Sequence, residues 1–262
     1  MPVSGKDEPQ HHIRLKSGDV GRYVFLPGDP GRCEPIAQLF DNPRLVAANR
    51  EYTTWAGTLD GEPVAVTSTG IGCPSAAIAI EELKNVGADT FIRVGTSGAM
   101  QPDIKPGTLG VISGAIRDEG TSSHYLPIEF PAVADLEVTR ALALGARKTG
   151  QPYRIGIAQS KDSFFGQHEP GRMPVANRLK DRWSAWVAGG AICSEMEAAG
   201  LFIVGSTLRV RVGGIMQILG HHDQSPMTAE EKASVSLDDL LTTAVAGLRE
   251  LIAHDRAEAG SR

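Results

Sequence analysis

The feature that most constrains this chain is a unit repeated along it: a short, β-branched apolar run that stops at Gly or Pro and opens into a helix-like segment. Such alternation is the signature of α/β layering, because each apolar strand face needs a helix to cover it. The runs expected as strands are Tyr23–Gly28, Val64–Gly70, Thr90–Thr96, Leu109–Ala115, Arg154–Ser160, Ala191–Ser194 and Val212–Leu219. Most are apolar on both faces, which predicts a mainly parallel or mixed sheet covered by helices on both sides. The expected helices are Gly31–Phe40, Pro74–Val86, Asp135–Lys148, Asn177–Ala188, Met196–Thr207 and Thr228–Ala253. The last opens with Thr228 and Glu231 at the spacing of a capping box. The Gly/Pro/His-rich segment Phe164–Pro174 is expected as a loop.

A chain of 262 residues is long enough to bury one core, and no linker or composition break divides it. One domain over residues 11–255 is expected, with flexible termini at 1–10 and 256–262. Lys and Arg number 26 against 31 Asp and Glu, a formal net charge of -5, and no basic block stands out. That balance disfavours nucleic acid or an anionic membrane as partner and favours a small molecule. Cys33, Cys73 and Cys193 are odd in number and widely spaced, as expected of reduced thiols in a cytoplasmic protein. The segment MPVSGKDEPQHH has no apolar targeting core, and no run approaches the roughly 18 apolar residues of a membrane span.

Four segments carry chemistry. In PGDPGR, Pro27–Arg32, an apolar strand gives way to a helix; glycines allow close approach, helix N–H groups attract an anion and Arg32 adds a fork of donors. The pattern suits a phosphate cradle, and equally an ordinary turn with a surface arginine. In TFIRVGTSG, Thr90–Gly98, a cation interrupts a buried strand, so Arg93 requires a carboxylate or a bound anion. STGIGCPS, Ser68–Ser75, starts like a dinucleotide fingerprint but has Ser75 where the third glycine belongs. In CSEMEAAG, Cys193–Gly200, Glu195 and Glu197 flank Met196; they suit a cis-diol against a methionine, or solvated charges at a helix start. The histidines lack the i, i+4 spacing of a metal pair and no ligand set completes a tetrahedral site, so no catalytic metal and no cofactor are expected. No Gly-x-Ser-x-Gly elbow supports a serine nucleophile.

Taken in order, HIRL (His12–Leu15), PGDPGR, NREYTTW (Asn49–Trp55), STGIGCPS, RVGTSG, PIEFPAVAD (Pro127–Asp135), DSFFGQ (Asp162–Gln167) and SEMEAA resemble the uridine phosphorylase family, over residues 11 to 220. The resemblance implies a single-domain α/β fold of the nucleoside phosphorylase type, a mixed central sheet with helices on both faces. It implies phosphorolysis of uridine, with deoxyuridine and thymidine left open as further substrates and inorganic phosphate as co-substrate. By the same resemblance Gly28, Arg32, Arg93, Thr96 and a neighbouring subunit's Arg50 match the phosphate positions, while Met196, Glu197, Glu195 and His12 fall at the ribose, His12 across a dimer. Phe164 and Gln167 match the base positions, with Ser97, Gly98 and His168 beside them. Glu51, Ile71 and Ser75 match a monovalent cation site, K+ or Na+, found between subunits in some members. A homo-oligomer with a shared site, a trimer of dimers, is the family's assembly.

Departures gather at the base end. Glu169 stands where an arginine is common, and Ile218–Asp223 replaces an Asn-Arg-Thr. His168, His221 or His222 could donate there instead. The implied mechanism is direct displacement at C1′, with Arg32, Arg93, Gln167 and Glu197 as the catalytic set. The rivals are a purine nucleoside phosphorylase using Asp223 as acid, a nucleoside hydrolase, and a non-catalytic nucleoside or phosphate sensor.

Overall fold

The computed structural model describes residues 5–261 of the chain; residues 1–4 and 262 of the expected termini lie outside the described residues. Ten strands form one mixed sheet: β1 Tyr23–Pro27, β2 Asp41–Asn49, β3 Tyr52–Leu59, β4 Glu62–Thr67, β5 Thr90–Ala99, β6 Leu109–Asp118, β7 Ala132–Val133, β8 Tyr153–Lys161, β9 Cys193–Glu195 and β10 Arg211–Gly220. Strand β5 runs parallel to β10 along one edge. On its other edge it pairs with β1 over Thr90–Val94 and then with β9 over Gly98 and Ala99. The pairings β5–β10–β6–β8–β9–β5 close five strands on themselves, and β1, β4, β3 and β2 extend outward from β5. Between the β1 and β9 pairings, Gly95–Ser97 has no neighbour on that edge. A crevice opens there, at the carboxyl ends of parallel strands, the place where α/β sheets admit ligands.

The helices are α1 Cys33–Ala37, α2 Cys73–Asn85, α3 Leu136–Thr149, α4 Phe164–His168, α5 Ala176–Ala188, α6 Ala198–Leu208, α7 Ala229–Ser234 and α8 Leu237–Gly260. Alternation along the strands feeds two cores. Val24 and Leu26 of β1 and Phe91 of β5 join Ile80, Leu83, Leu201 and Phe202 of α2 and α6. Tyr23, Phe25, Ile92 and Val94 join Ile36, Leu142, Leu248 and Leu251 of α1, α3 and α8. Each face of the sheet is therefore covered, as two-sided burial requires.

Three expectations are corrected. The segment Phe164–Pro174 contains α4, begun by the Ser163 hydroxyl, which accepts the Gly166 N–H at 2.9 Å, and a 3-10 turn at Pro170–Arg172. The helix expected over Thr228–Ala253 is two, because Ser236 accepts the Asp238 N–H at 3.1 Å and starts α8 afresh. Helix α8 also runs past residue 255 to Gly260, with Arg256 tied to Glu62 at 3.0 Å and to the Asp60 carbonyl at 2.6 Å. The hairpin β2–β3 was not anticipated from the apolar pattern; Arg50 and Glu51 connect Asn49 to Tyr52, and Arg50 takes a left-handed φ of 54°.

Candidate active site

Where β1 ends, Gly28 and Asp29 lead into the 3-10 turn Pro30–Arg32, and the Asp29 carboxylate accepts the Gly31 N–H at 2.8 Å. Gly28 is held small by its surroundings: a Cβ there would lie 3.1 Å from the Gly70 carbonyl oxygen and 3.3 Å from Arg93 Nη1. Arg93 rises from β5 into the same corner and is 5% exposed. Its Nη2 donates to Glu197 Oε2 at 2.5 Å, its Nη1 to the Leu26 carbonyl at 3.3 Å, and its Nε is 3.9 Å from Glu195 Oε2. The carboxylate that a buried guanidinium demands is thus present, supplied across the crevice from the start of α6.

Arg32 differs, because among the described residues no carboxylate lies within ion-pair distance of it. Burial and the nearby Arg93 charge lower its affinity for its proton. Two guanidinium groups share one corner, and the carboxylates within ion-pair distance, Glu197 and Glu195, both lie against Arg93. A bound anion would relieve that repulsion.

Glu197 Oε1 accepts the Gly72 N–H at 2.5 Å, which ties α6 to the turn before α2. Glu195, expected on the ribose, has its oxygens engaged elsewhere: they accept the N–H groups of Glu197 at 2.8 Å and Ala198 at 3.0 Å and the Ser160 hydroxyl. Burial, reinforced by the Glu197 charge, raises its proton affinity. It caps α6 and backs Arg93 rather than offering a free oxygen.

These groups border a cavity of ≈ 720 Å³ that also takes in Gly28, Gly70, Ile71, Thr96, Ser97, Gly98, Phe164, His168, Met196, Leu219 and Gly220. The Phe164 and His168 rings lie 4.3 Å apart. Burial and the Lys161 charge lower the His168 proton affinity, against a hydrogen bond with Gln224 that raises it. Gln167 borders an adjoining cavity of ≈ 430 Å³, together with Gln159, Leu179, Trp183 and Trp186. Lys161 borders both cavities. It is 5% exposed, its Nζ donates to Ser194 Oγ at 2.8 Å, and no carboxylate among the described residues is within ion-pair reach. Burial lowers its proton affinity, partly offset by the Glu195 and Glu197 charges.

Sequence reasoning passed over Lys161. Its signal, a charge ending an apolar strand, was the one that exposed Arg93, but the expected strand stopped one residue short at Ser160.

Of the other expected residues, His12, Arg50, Glu51, Ser75, His221, His222 and Asp223 lie outside this lining. His12 is bound through Nδ1 to Glu82 Oε1 at 2.6 Å, and Arg50 sits exposed on the β2–β3 hairpin. Glu51, Ile71 and Ser75 gather at Gly70: a Cβ there would meet Glu51 Cγ at 2.9 Å and Ser75 Oγ at 3.3 Å, and Ser75 Oγ donates to the Ile71 carbonyl at 3.3 Å. His221 contacts Glu231 at 3.1 Å, and His222 is exposed. Asp223 is fully exposed, and hydrogen bonds from Ser225 depress its proton affinity, the reverse of what a proton donor needs. Among the described residues no three His, Cys, Asp or Glu side chains group as metal ligands, and no helix is long and apolar enough to cross a membrane.

A family model described as "Phosphorylase superfamily" matches residues 22–252. A uridine phosphorylase of Treponema pallidum is 49% identical over 246 residues, covering 94% of this chain and 95% of that protein. One from Escherichia coli K12 is 38% identical over 248 residues, covering 92% and 97%. A guanosine phosphorylase of Halorubrum lacusprofundi is 37% identical over 231 residues, covering 88% and 90%.

Proposed function

The chain belongs to the phosphorylase superfamily, and from that premise we propose that it splits uridine with inorganic phosphate, releasing uracil and ribose 1-phosphate. It is an enzyme, a pentosyltransferase, as the uridine phosphorylases alike over nearly its whole length are. The observation that carries the chemistry is the pairing of Arg32, which has no carboxylate of its own, with Arg93 in the crevice beside Gly28 and Thr96.

In this reading phosphate occupies that corner, with Arg32 and Arg93 as its principal ligands. A phosphate oxygen attacks C1′ of the ribose from the face opposite the base. The C1′–N1 bond breaks, and its electron pair passes into the uracil ring, to be neutralised by a proton from solvent. Glu197 holds the ribose hydroxyls and Met196 lies against the sugar. Negative charge growing on the ring meets Lys161, a buried ammonium without a carboxylate partner, and the Gln167 amide, while Phe164 stacks on the base. No metal or general acid of low proton affinity is required.

Arg50 and His12 serve a neighbouring subunit's site, an assignment supported by their position outside the lining of their own chain's cavity. The enzyme then works as a homo-oligomer with shared sites, a trimer of dimers in the family pattern. The cluster of Glu51, Ile71 and Ser75 around Gly70 supports K+ or Na+ between subunits. Three buried free thiols support a cytoplasmic setting.

Pure protein incubated with uridine, thymidine, inosine or guanosine, with and without phosphate, tests the reading through free base released. Phosphate-dependent release of uracil is expected. Release without phosphate would make the chain a hydrolase, and release of purines alone would move it beside the guanosine phosphorylase.

A further inference from the structure

Ser194, at the centre of β9, has three side-chain neighbours: Lys161 Nζ at 2.8 Å, Gln159 Oε1 at 2.6 Å and Gln167 Oε1 at 2.8 Å. A hydroxyl owns one proton and two lone pairs, so it can donate to only one of the two glutamines. The tie is broken one step further out. Gln159 Nε2 donates to Asp118 Oδ2 at 2.8 Å, and Asp118 Oδ1 receives Arg182 Nη2 at 2.6 Å, so Asp118 accepts on both oxygens. That pins the Gln159 amide with its oxygen toward Ser194, and the Ser194 proton goes there. Lys161 can only donate, which takes one lone pair. The second lone pair requires a donor from Gln167, so the Gln167 amide is turned with its nitrogen on Ser194 and its oxygen free; amide orientation is set by such networks.

Resting on the phosphorolysis reading above, we propose that Asp118, Gln159 and Ser194 are positioning residues that lock the Gln167 amide in the orientation that reads uracil and rejects cytosine. Uracil presents N3–H beside the C4 carbonyl, whereas cytosine presents a bare N3 beside a C4 amine. The two edges are donor–acceptor opposites, so a carboxamide that cannot turn matches one and clashes with the other. Lys161, a donor only, adds to the match with a carbonyl-bearing ring. The inner links of the relay are closed to water: Gln159 is 1% and Ser194 3% exposed.

The relay can be reversed with one isosteric change. In Asp118→Asn, Arg182 retains the amide oxygen, so the new N–H group faces Gln159 and turns it. Gln159 then donates to Ser194, the Ser194 proton passes to the Gln167 oxygen, and Gln167 offers the opposite edge. Asp118→Asn and Ser194→Ala are compared with the parent for kcat/KM on uridine and cytidine and for uracil and cytosine affinity by calorimetry. The uridine-to-cytidine preference is expected to fall at least about tenfold in Asp118→Asn and to relax in Ser194→Ala, with KM for phosphate unchanged. An unchanged preference in both variants, each unfolding at the parent's temperature, would overturn the relay. If the parent released no uracil, the phosphorolysis reading would fail by itself. The base affinities would still decide the relay: loss of uracil preference in the variants supports it, and retention overturns it.

Discussion

Lys161 and His168 border one cavity with interdependent charges. Burial and the Lys161 ammonium both disfavour protonated His168, while a hydrogen bond with Gln224 opposes them. Removing the ammonium in Lys161→Met lifts one of the two lowering causes, so His168 should titrate at higher pH than in the parent, approaching the free value of roughly 6.5. Imidazole carbon shifts followed by NMR across pH 5–8 check this; an unmoved or lower midpoint would mean that the two groups do not sense each other. The same variant should lose most uridine turnover with little change in phosphate KM, because the charge it removes acts on the leaving base. At this scale Arg93 was legible, since a guanidinium inside an apolar run is anomalous wherever it occurs. The role of Glu195 was not. Its oxygens are taken by Ser160 and by the first turn of α6, and a partner 35 residues away leaves no mark in local spacing.

The β2–β3 hairpin shows how an element can hold a residue in strain. Arg50 occupies a left-handed φ of 54°, which disfavours a side chain by about 1 kcal/mol. Arg50→Gly should therefore stabilise the fold by up to about 1 kcal/mol while sharply reducing phosphorolysis, as thermal unfolding and uracil release from one preparation would reveal. A variant less stable than the parent would mean that the arginine's contacts outweigh the strain. Elements closed by local chemistry were readable. Examples are α3, whose Asp135 accepts the Val138 N–H at 3.0 Å, and α7, whose Thr228 and Glu231 form the capping box. The hairpin escaped because β2 carries Pro43 and charged residues on an exposed edge, and β3 alternates with only one face buried. The break before α8 escaped because Ser236 sits inside a helix-compatible run, where its capping bond is decided by packing on either side.

For the whole molecule, the proposed sharing of sites between subunits makes a prediction that no single chain can meet. Arg50→Ala and Arg93→Ala should each be nearly inactive alone. Unfolded, mixed and refolded together, they should regain roughly a quarter of parental activity, since random pairing unites an intact Arg93 with a neighbour's intact Arg50 at that fraction of sites. No recovery in mixed oligomers would place Arg50 in its own chain's site or outside the chemistry. The sequence by itself determined the layering: β-branched runs apolar on both faces leave no stable arrangement except a sheet between helices. It also marked Arg93 as an anomaly in need of a carboxylate or a bound anion. Only the tertiary structure decided which carboxylate that was. The crevice exists because β5 exchanges β1 for β9 between Val94 and Gly98, a long-range pairing that brings α6 from a hundred residues away onto Arg93. The proposed relay likewise joins Asp118, Gln159, Ser194 and Gln167, side chains distant in sequence that meet where β6, β8 and β9 lie side by side with α4 against them.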